Sequence, residues 1–323
     1  MATEIASYMT LIEYGNRHKA KELLKIASSM KANPLISDAI WKEANDNTSH
    51  TFDKAVSYPS LSVRKLNKGV VPDNAQTQPE TVPVCSFEGH MNLDVKYEEL
   101  EGSNFPQFRA DEEQLHWEGA SRSFMSQFIY GSGIAGNVEG LFTRYNAPST
   151  QDNVYDEGST TDSVCSSALM VKWGPDGVFL VYPKGSKKHG IIREPMGKQL
   201  VTVNTTTGEQ QWVWNTVFGI TFGLCVVKDV AVQRLGSIDS TDTVDPDNLT
   251  AMAVNMYEEY GSYDNVVLYV NATVFGQLWA ANNAKPGILS QSAKKDPWGN
   301  PVWAFNGIPI KLMGGLLNTE DDI

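Results

Sequence analysis

Cysteine is scarce in this chain: Cys85, Cys165 and Cys225 are the only three in 323 residues. The number is odd and no CxxC pair occurs, which argues against a zinc site or a disulfide framework and for a reducing compartment. No apolar run reaches the roughly 20 residues a membrane-spanning helix needs. The opening MATEIASYMTLIEYGNRHKAK lacks the basic-then-apolar order of a signal peptide. A soluble, cytoplasmic chain with no membrane contact is expected. Positive charge is short as well. Against 38 Asp and Glu stand 26 Lys and Arg, a net charge of −12, so a surface built to grip nucleic-acid backbone is not expected. An acidic wall that merely encloses DNA is compatible with this balance, because it repels phosphate and lets the polymer slide.

Signatures of chemistry are missing too. The histidines His18, His50, His90, His116 and His189 form no HxH or HxxxH pair, so metal ligation has no sequence support. There is no GxSxG elbow. The stretch WGPDGVFLVYPKGSKKHG (173–190) has the glycines and lysines of a phosphate loop, but Gly185 is followed by Ser186, and no Ser or Thr follows Lys187-Lys188. It satisfies neither GxxxxGK[ST] nor GxGxxG. A hairpin is expected instead, with a turn at Gly174–Gly177, a buried return strand GVFLVYP, and Lys187, Lys188 and His189 on an exposed loop. Glu112-Glu113 and Glu258-Glu259 read as solvated helix faces. Trp212 and Trp214 alternate with polar neighbours as a strand requires, and fit a core or subunit interface better than a stacking platform. His116, beside Trp117, reads as surface or packing. No catalytic residue, cofactor or metal is expected.

What is present is an α+β pattern. Residues 8–46 read as two short helices broken at Asn33-Pro34, the second capped by Ser37 and running through Ile40, Trp41 and Ala44. From His50 to about Leu100 two β-rich runs, TFDKAVSYPSLSVRKLNKGVV and TVPVCSFEGHMNLDVKYEEL, flank the polar PDNAQTQPE. They predict a long two-stranded ribbon with its tip at that polar segment, too thin to be stable alone. RADEEQLHWEGASRSFMSQFIY (109–130) predicts the longest helix, with Asp111 and Gln114 as a capping box and an apolar face from Leu115 to Ile129. After a polar loop at 148–164, strands dominate. Helices are expected at 247–261 and over TVFGQLWAANNA, and a closing hairpin over GNPVWAFNGIPIKLM.

The wording and order of these parts resemble one family. NPLISDAIWKEANDNTSHTF, PSLSVRKLNKGVVP, EGLFTRYN, VKWGPDGVFLVYPKGS, FGLCVVKDVAVQRLGSID, FNGIPIK and LLNTE, spread from about Thr10 to Glu320, are similar to landmarks of tailed-phage coat proteins with the Hong Kong 97 fold. The resemblance implies an N-terminal arm at 1–49, an extended (E) loop at 50–100, the spine helix of the peripheral (P) domain within 101–136, and the rest of the P domain with the axial (A) domain at 137–323. It implies a major capsid protein that self-assembles as pentamers and hexamers into the icosahedral shell of a tailed double-stranded DNA phage. That protein would be assembled in the host cytoplasm and located in the virion. Its partners would be a scaffolding protein, a portal and a decoration protein, and it would enclose DNA without sequence-specific binding. No acidic helical prefix stands at the start, so a separate scaffold is expected. Inter-subunit contacts are expected at Trp41, Arg64, Lys65, Lys68, Val71, Pro72, Val84 and Phe87. Some relatives are welded by Lys–Asn isopeptide bonds; here Lys65 and Lys68 read as guards of an exposed strand, and no crosslink is expected. Lys188-His189 before Gly190, and REPMGKQL after it, depart from the family wording. An encapsulin-like compartment and a carbohydrate-active hydrolase are the alternatives.

Overall fold

The computed structural model describes residues 10–17, 24, 26, 30, 33–134, 136–161, 163–186, 189–204, 206, 208–239, 244–285, 287–295 and 301–323. In chain order the elements are α1 (Leu11–Arg17), α2 (Pro34–Asp38), β1 (Trp41–Glu43), β2 (Ser49–Ser57), β3 (Gln76–Pro83), β4 (Cys85–Asp94), α3 (Lys96–Glu101) and α4 (Phe105–Tyr130). There follow α5 (Leu141–Arg144), β5 (Val154–Asp156), β6 (Cys165–Lys172), β7 (Val178–Tyr182), β8 (Ile191–Asn204), β9 (Glu209–Val226) and β10 (Val232–Asp239). The chain closes with α6 (Pro246–Tyr260), β11 (Val266–Val270), α7 (Ala272–Ala284), β12 (Leu289–Lys295), β13 (Pro301–Phe305) and β14 (Ile308–Leu312).

Among the described residues the strands form three sheets. One runs β1-β7-β9-β4, with β8 also paired to β9; the second runs β12-β13-β14-β11-β6-β10-β5; the third is the isolated pair β2-β3. The mixed α+β class expected from the sequence is the one observed. The long helix α4 lies against β4 and β9, burying Trp117, Ser121, Phe124, Met125, Phe128 and Ile129 at spacings that place them on one face. Its apolar face continues through Trp173, Leu180, Phe218 and Phe222 into a core shared by the two large sheets. Helices α6 and α7 cover the other face of the seven-stranded sheet through Leu249, Met252, Met256, Val274 and Leu278. At the C-terminal end of α4, Gly131 and Gly140 pass backbone to backbone: a Cβ on Gly140 would stand 2.4 Å from the Gly131 nitrogen. The GSGIAG run therefore closes the chain back on itself. The β13–β14 hairpin turns on Asn306 and Gly307, both at positive φ, as an Asn-Gly turn requires.

Several expectations need correction. Helix α4 starts at Phe105 with Pro106 in its first turn, so Asp111 is interior and accepts from Gln107 Nε2 at 2.8 Å instead of capping. Asn33, not Ser37, caps α2 by accepting from the Leu35 N–H at 2.9 Å. The chain then leaves the helix so that Trp41–Glu43 pairs in parallel with Leu180–Tyr182; burial of Trp41 in the core outweighs helix propensity. His18, Lys187 and Lys188 lie outside the described residues.

The ribbon is shorter and differently placed. Only β2 and β3 pair, while β4 joins the body sheet over its full length, Cys85 opposite Phe222 and Asp94 opposite Val213. The tip is 58–75, where Pro59, Gly69 and Pro72 interrupt strand geometry and Asn67 adopts φ 62°; of PDNAQTQPE, residues 72–75 belong to this tip and Gln76–Glu80 begin strand β3. Lys65 and Lys68 stand on a turn, with the Lys68 N–H donating to the Lys65 carbonyl, not on a strand. The Gly174–Gly177 turn forms, but β6 and β7 belong to different sheets. It is a crossover, not a hairpin. His189 is half-buried against Tyr182, ring centroids 4.6 Å apart, not on an exposed loop. The polar 148–164 segment contains β5, held by β10.

Candidate assembly surface

The ribbon root is built by alternation. Its pairing puts His50 opposite Val82, Phe52 opposite Glu80 and Lys54 opposite Gln78, so these six side chains share one face while Thr51, Asp53 and Thr81 look outward. Near the body that face is apolar: Val82 and Phe52 pack on Phe179, Val181 and Cys225, and burial pushes the Cys225 thiol up to about 12. His50 sits edge-on to Phe179 at 5.8 Å, and its Nδ1 accepts the Asn45 N–H at 3.2 Å. Burial, then the nearby Lys42 charge, lowers its pKa. A histidine held neutral contributes stability fully above its unfolded value of 6.5 and loses it as pH falls through its lower folded value. The melting temperature should therefore drop between about pH 7 and pH 5.5. His50→Asn, which keeps an acceptor but cannot ionise, should reduce that drop in calorimetry.

Further out, the ribbon face becomes charged. Lys54 Nζ reaches Asp229 at 2.7 Å and Glu80 reaches Arg144 at 2.5 Å. Beyond these pairs lies the tip. Its neck is closed by Asp73, whose Oδ2 accepts from the Ser60 N–H at 2.9 Å and from its hydroxyl at 3.2 Å, bonds that lower the Asp73 pKa. Leu61, Val63, Leu66 and Val71 on this tip are 84–104% exposed, an arrangement that costs hydrophobic free energy unless another surface covers it.

A matching depression lies elsewhere on the body. Between α4 and strands β4 and β9 runs a groove of about 730 Å³. Small residues, Gly89, Gly119, Ala120, Ser123 and Gly219, make its floor, and Phe87, Leu115 and Phe218 its walls. The Gln127 Oε1 there is buried and accepts no hydrogen bond.

The eight sequence-predicted contacts fall in three places. Arg64, Lys65, Lys68, Val71 and Pro72 are exposed together on the tip. Phe87 is half-buried, 5.5 Å from the Phe222 ring, and lines the groove; Val84 is half-buried at the ribbon root. Trp41 is a correction. It is 2% exposed and stacks on Phe124 at 6.2 Å inside its own subunit, so it holds α4 to β1 and is not at the surface. Sequence reasoning missed Leu61, Val63, Leu66, the groove floor and the two ion pairs at the root.

Other candidates are absorbed by packing. Glu113, expected on a solvated face, is buried between Arg109 at 3.3 Å and Arg193 at 2.7 Å. Glu259 pairs with Lys228. Trp214 has Arg109 and Lys198 over its ring, at 5.5 and 4.9 Å, while Trp212 is 58% exposed beside Leu200, its cross-strand partner. His116 stacks on Phe218 at 5.5 Å. Among the described residues no three His, Cys, Asp or Glu side chains converge as metal ligands, and no helix is long and apolar enough to cross a membrane.

A structure of bacteriophage Epsilon15 matches with TM-score 0.59 and 23% identity over 89% of this chain and 88% of that one. A capsid of bacteriophage JBD30 matches at TM-score 0.46 and 13% identity, over 87% and 90% of the two chains. The SrpI encapsulin of Synechococcus elongatus PCC 7942 matches at 0.44 and 10%, over 66% and 90%. The search of curated proteins finds no match. A family model described as major capsid protein GP7 matches residues 18–323, so the chain belongs to the major capsid protein GP7 family.

Proposed function

We propose that the chain builds the icosahedral shell of a tailed double-stranded DNA phage from pentamers and hexamers, with the ribbon tip of each copy lying in the α4–β4 groove of a neighbour. The observation that carries the contact is the pairing of an apolar, cationic tip that has no body surface of its own with a small-residue groove it cannot fill itself. Its cations, Arg64, Lys65 and Lys68, suit a groove whose lining includes the carboxylate of Glu88. Repetition of this modest contact on a closed surface gives high total stability. The N-terminal arm, the A and P domains, a separate scaffolding protein, a portal and a decoration protein belong to the same reading. So do assembly in the host cytoplasm, DNA enclosed without sequence readout, and a structural role without catalysis.

The test is a cysteine pair, Leu66→Cys with Gly119→Cys, in shells formed by co-expression with the phage scaffold. A Cβ on Gly119 meets nothing within 4 Å. Oxidation should give a ladder of linked multimers on a denaturing gel. Linked species absent from intact particles would place the tip elsewhere. Shells loaded with a cargo enzyme would favour the compartment, and a stable monomer with glycosidase activity would favour the hydrolase.

A further inference from the structure

The ribbon face grades from apolar to charged, and the charged step is two-sided. From β2, Lys54 donates to both oxygens of Asp229, at 2.7 Å each; from β3, Glu80 accepts from Arg144 at 2.5 Å. Asp229 opens the short 3₁₀ turn between β9 and β10, and Arg144 ends α5. The two anchors are joined through the body. Tyr145, next to Arg144, donates its hydroxyl to Asp229 at 2.8 Å, and Arg144 also holds Glu139 at 3.2 Å. Burial opposes ionisation of Asp229, yet the bonds from Lys54 and Tyr145 keep its carboxyl below the usual range.

We propose that these two ion pairs form a clamp that sets the angle of the ribbon on its own subunit, and that the ribbon pivots when the clamp opens. Placement gives the reason. Lys54 and Glu80 are the outermost ribbon residues tied to the body through α5 and the 229–231 turn, and the strands outside them form a two-stranded ribbon of marginal intrinsic stability. Inside them, His50, Phe52 and Val82 pack on the body as a small apolar bearing. The pairs are part-exposed, side chains retaining 21–50% of their surface, so each biases the closed position by about fivefold at most. A contact of that size holds a lever in the free subunit and yields to a competing surface. It opens without unfolding the bearing. The two pairs hold different strands to different body elements, Lys54 of β2 to the 229–231 turn and Glu80 of β3 to α5. The clamp therefore resists twisting as well as lifting.

The inference depends on the shell reading only for its use in assembly, and its test needs no shell. Hydrogen exchange is measured by mass spectrometry on the full-length, unassembled subunit. Glu80→Arg and Arg144→Glu should each speed exchange in 49–57 and 76–83 by about fivefold, the factor expected from losing one such pair. Exchange in α4 and β11 should stay within about twofold. The combined swap should restore protection, because the arginine introduced on β3 then faces both the glutamate introduced on α5 and the native Glu139. Lys54→Gln, which removes the other pair without adding a like charge, should loosen the same segments if either reversal fails to fold. Unchanged exchange in folded single variants, or a swap that stays as loose as its parents, overturns the clamp.

Discussion

Replacing residues 59–74 with an Asn-Gly turn should leave a folded subunit that no longer closes shells. The hydrogen bonds of this segment run between its own residues, Ser60 with Asp73 and Lys65 with Lys68. Its large side chains Leu61, Val63, Leu66 and Val71 are exposed. Deleting them removes no intramolecular core, and Asn-Gly is the turn that lets two antiparallel strands continue without splaying. The melting temperature of the subunit should therefore move by no more than about 2 °C, as for surface changes away from packing. Assembly should respond on another scale. In a closed shell each lost contact is lost in every copy, so particle yield with scaffold present should fall by at least ~tenfold in sedimentation and negative-stain counts. Shells of normal yield and heat resistance would show that the tip holds nothing together. The cut must stop short of Gln76, because Glu80 and Val82 in β3 anchor the ribbon root.

Local pattern made the long helix α4, the existence of a ribbon, helices α6 and α7, and the closing hairpin legible from sequence. Trp117, Phe124 and Phe128 recur at helical spacing, and Asn306-Gly307 is a strong hairpin signal. Pairing was not legible. The apolar alternation of residues 76–94 shifts phase at Val84-Cys85, from Val82 and Val84 to Cys85, Phe87, Met91 and Leu93, and there the chain leaves β2 and begins to pair with β9, more than a hundred residues away in sequence. Nothing local distinguishes the two partners. Trp41 was misplaced for the same reason: with Ile40 and Trp41 four and three residues before Ala44, the segment looks like a turn of helix, and only the presence of β7 makes it a strand. The groove comes from residues 86–89, 115–127 and 218–222. Its one sequence trace is the run of small residues Gly119, Ala120 and Ser123 on an otherwise bulky helix. The clamp pairs join positions 64 and 175 residues apart, a distance at which charge pattern carries no information.

Arg234→Met should be among the most destabilising single substitutions in the body, and a double substitution should undo most of the loss. The Arg234 guanidinium, on β10 between β6 and the edge strand β5, is buried. It donates to the Tyr145 carbonyl at 2.9 Å, lies 4.0 Å from the Phe142 ring, and approaches Glu320 at 3.4 Å. Glu320, also buried, accepts from Tyr130 at the end of α4 and from Ser167 in β6, each at 2.5 Å. Its backbone bridges Cys165, so this residue fastens the C-terminal segment, the helix α4 and the sheet at one point. Burial raises the Glu320 pKa and, in the opposite sense, lowers that of Arg234; both shifts state that water is gone and that each charge depends on the other. Removing one partner leaves a buried charge uncompensated, at a cost of about 3–5 kcal/mol. Chemical denaturation of Arg234→Met and Glu320→Ala should each show a loss of that order. Combining Arg234→Met with Glu320→Leu removes both charges and keeps volume, and buried pairs exchanged this way are often neutral or better. The double variant should recover at least about half of the loss, with Tyr130 and Ser167 left short of an acceptor as the residual cost. Additive losses in the double would mean that the two residues act separately. The pH dependence has a defined sign as well. Because the folded pKa of Glu320 lies above its unfolded value, this group favours the folded state most at pH below the unfolded value, and that contribution is lost as pH rises through the folded one. Glu320→Gln, unable to ionise, should flatten that part of the stability profile.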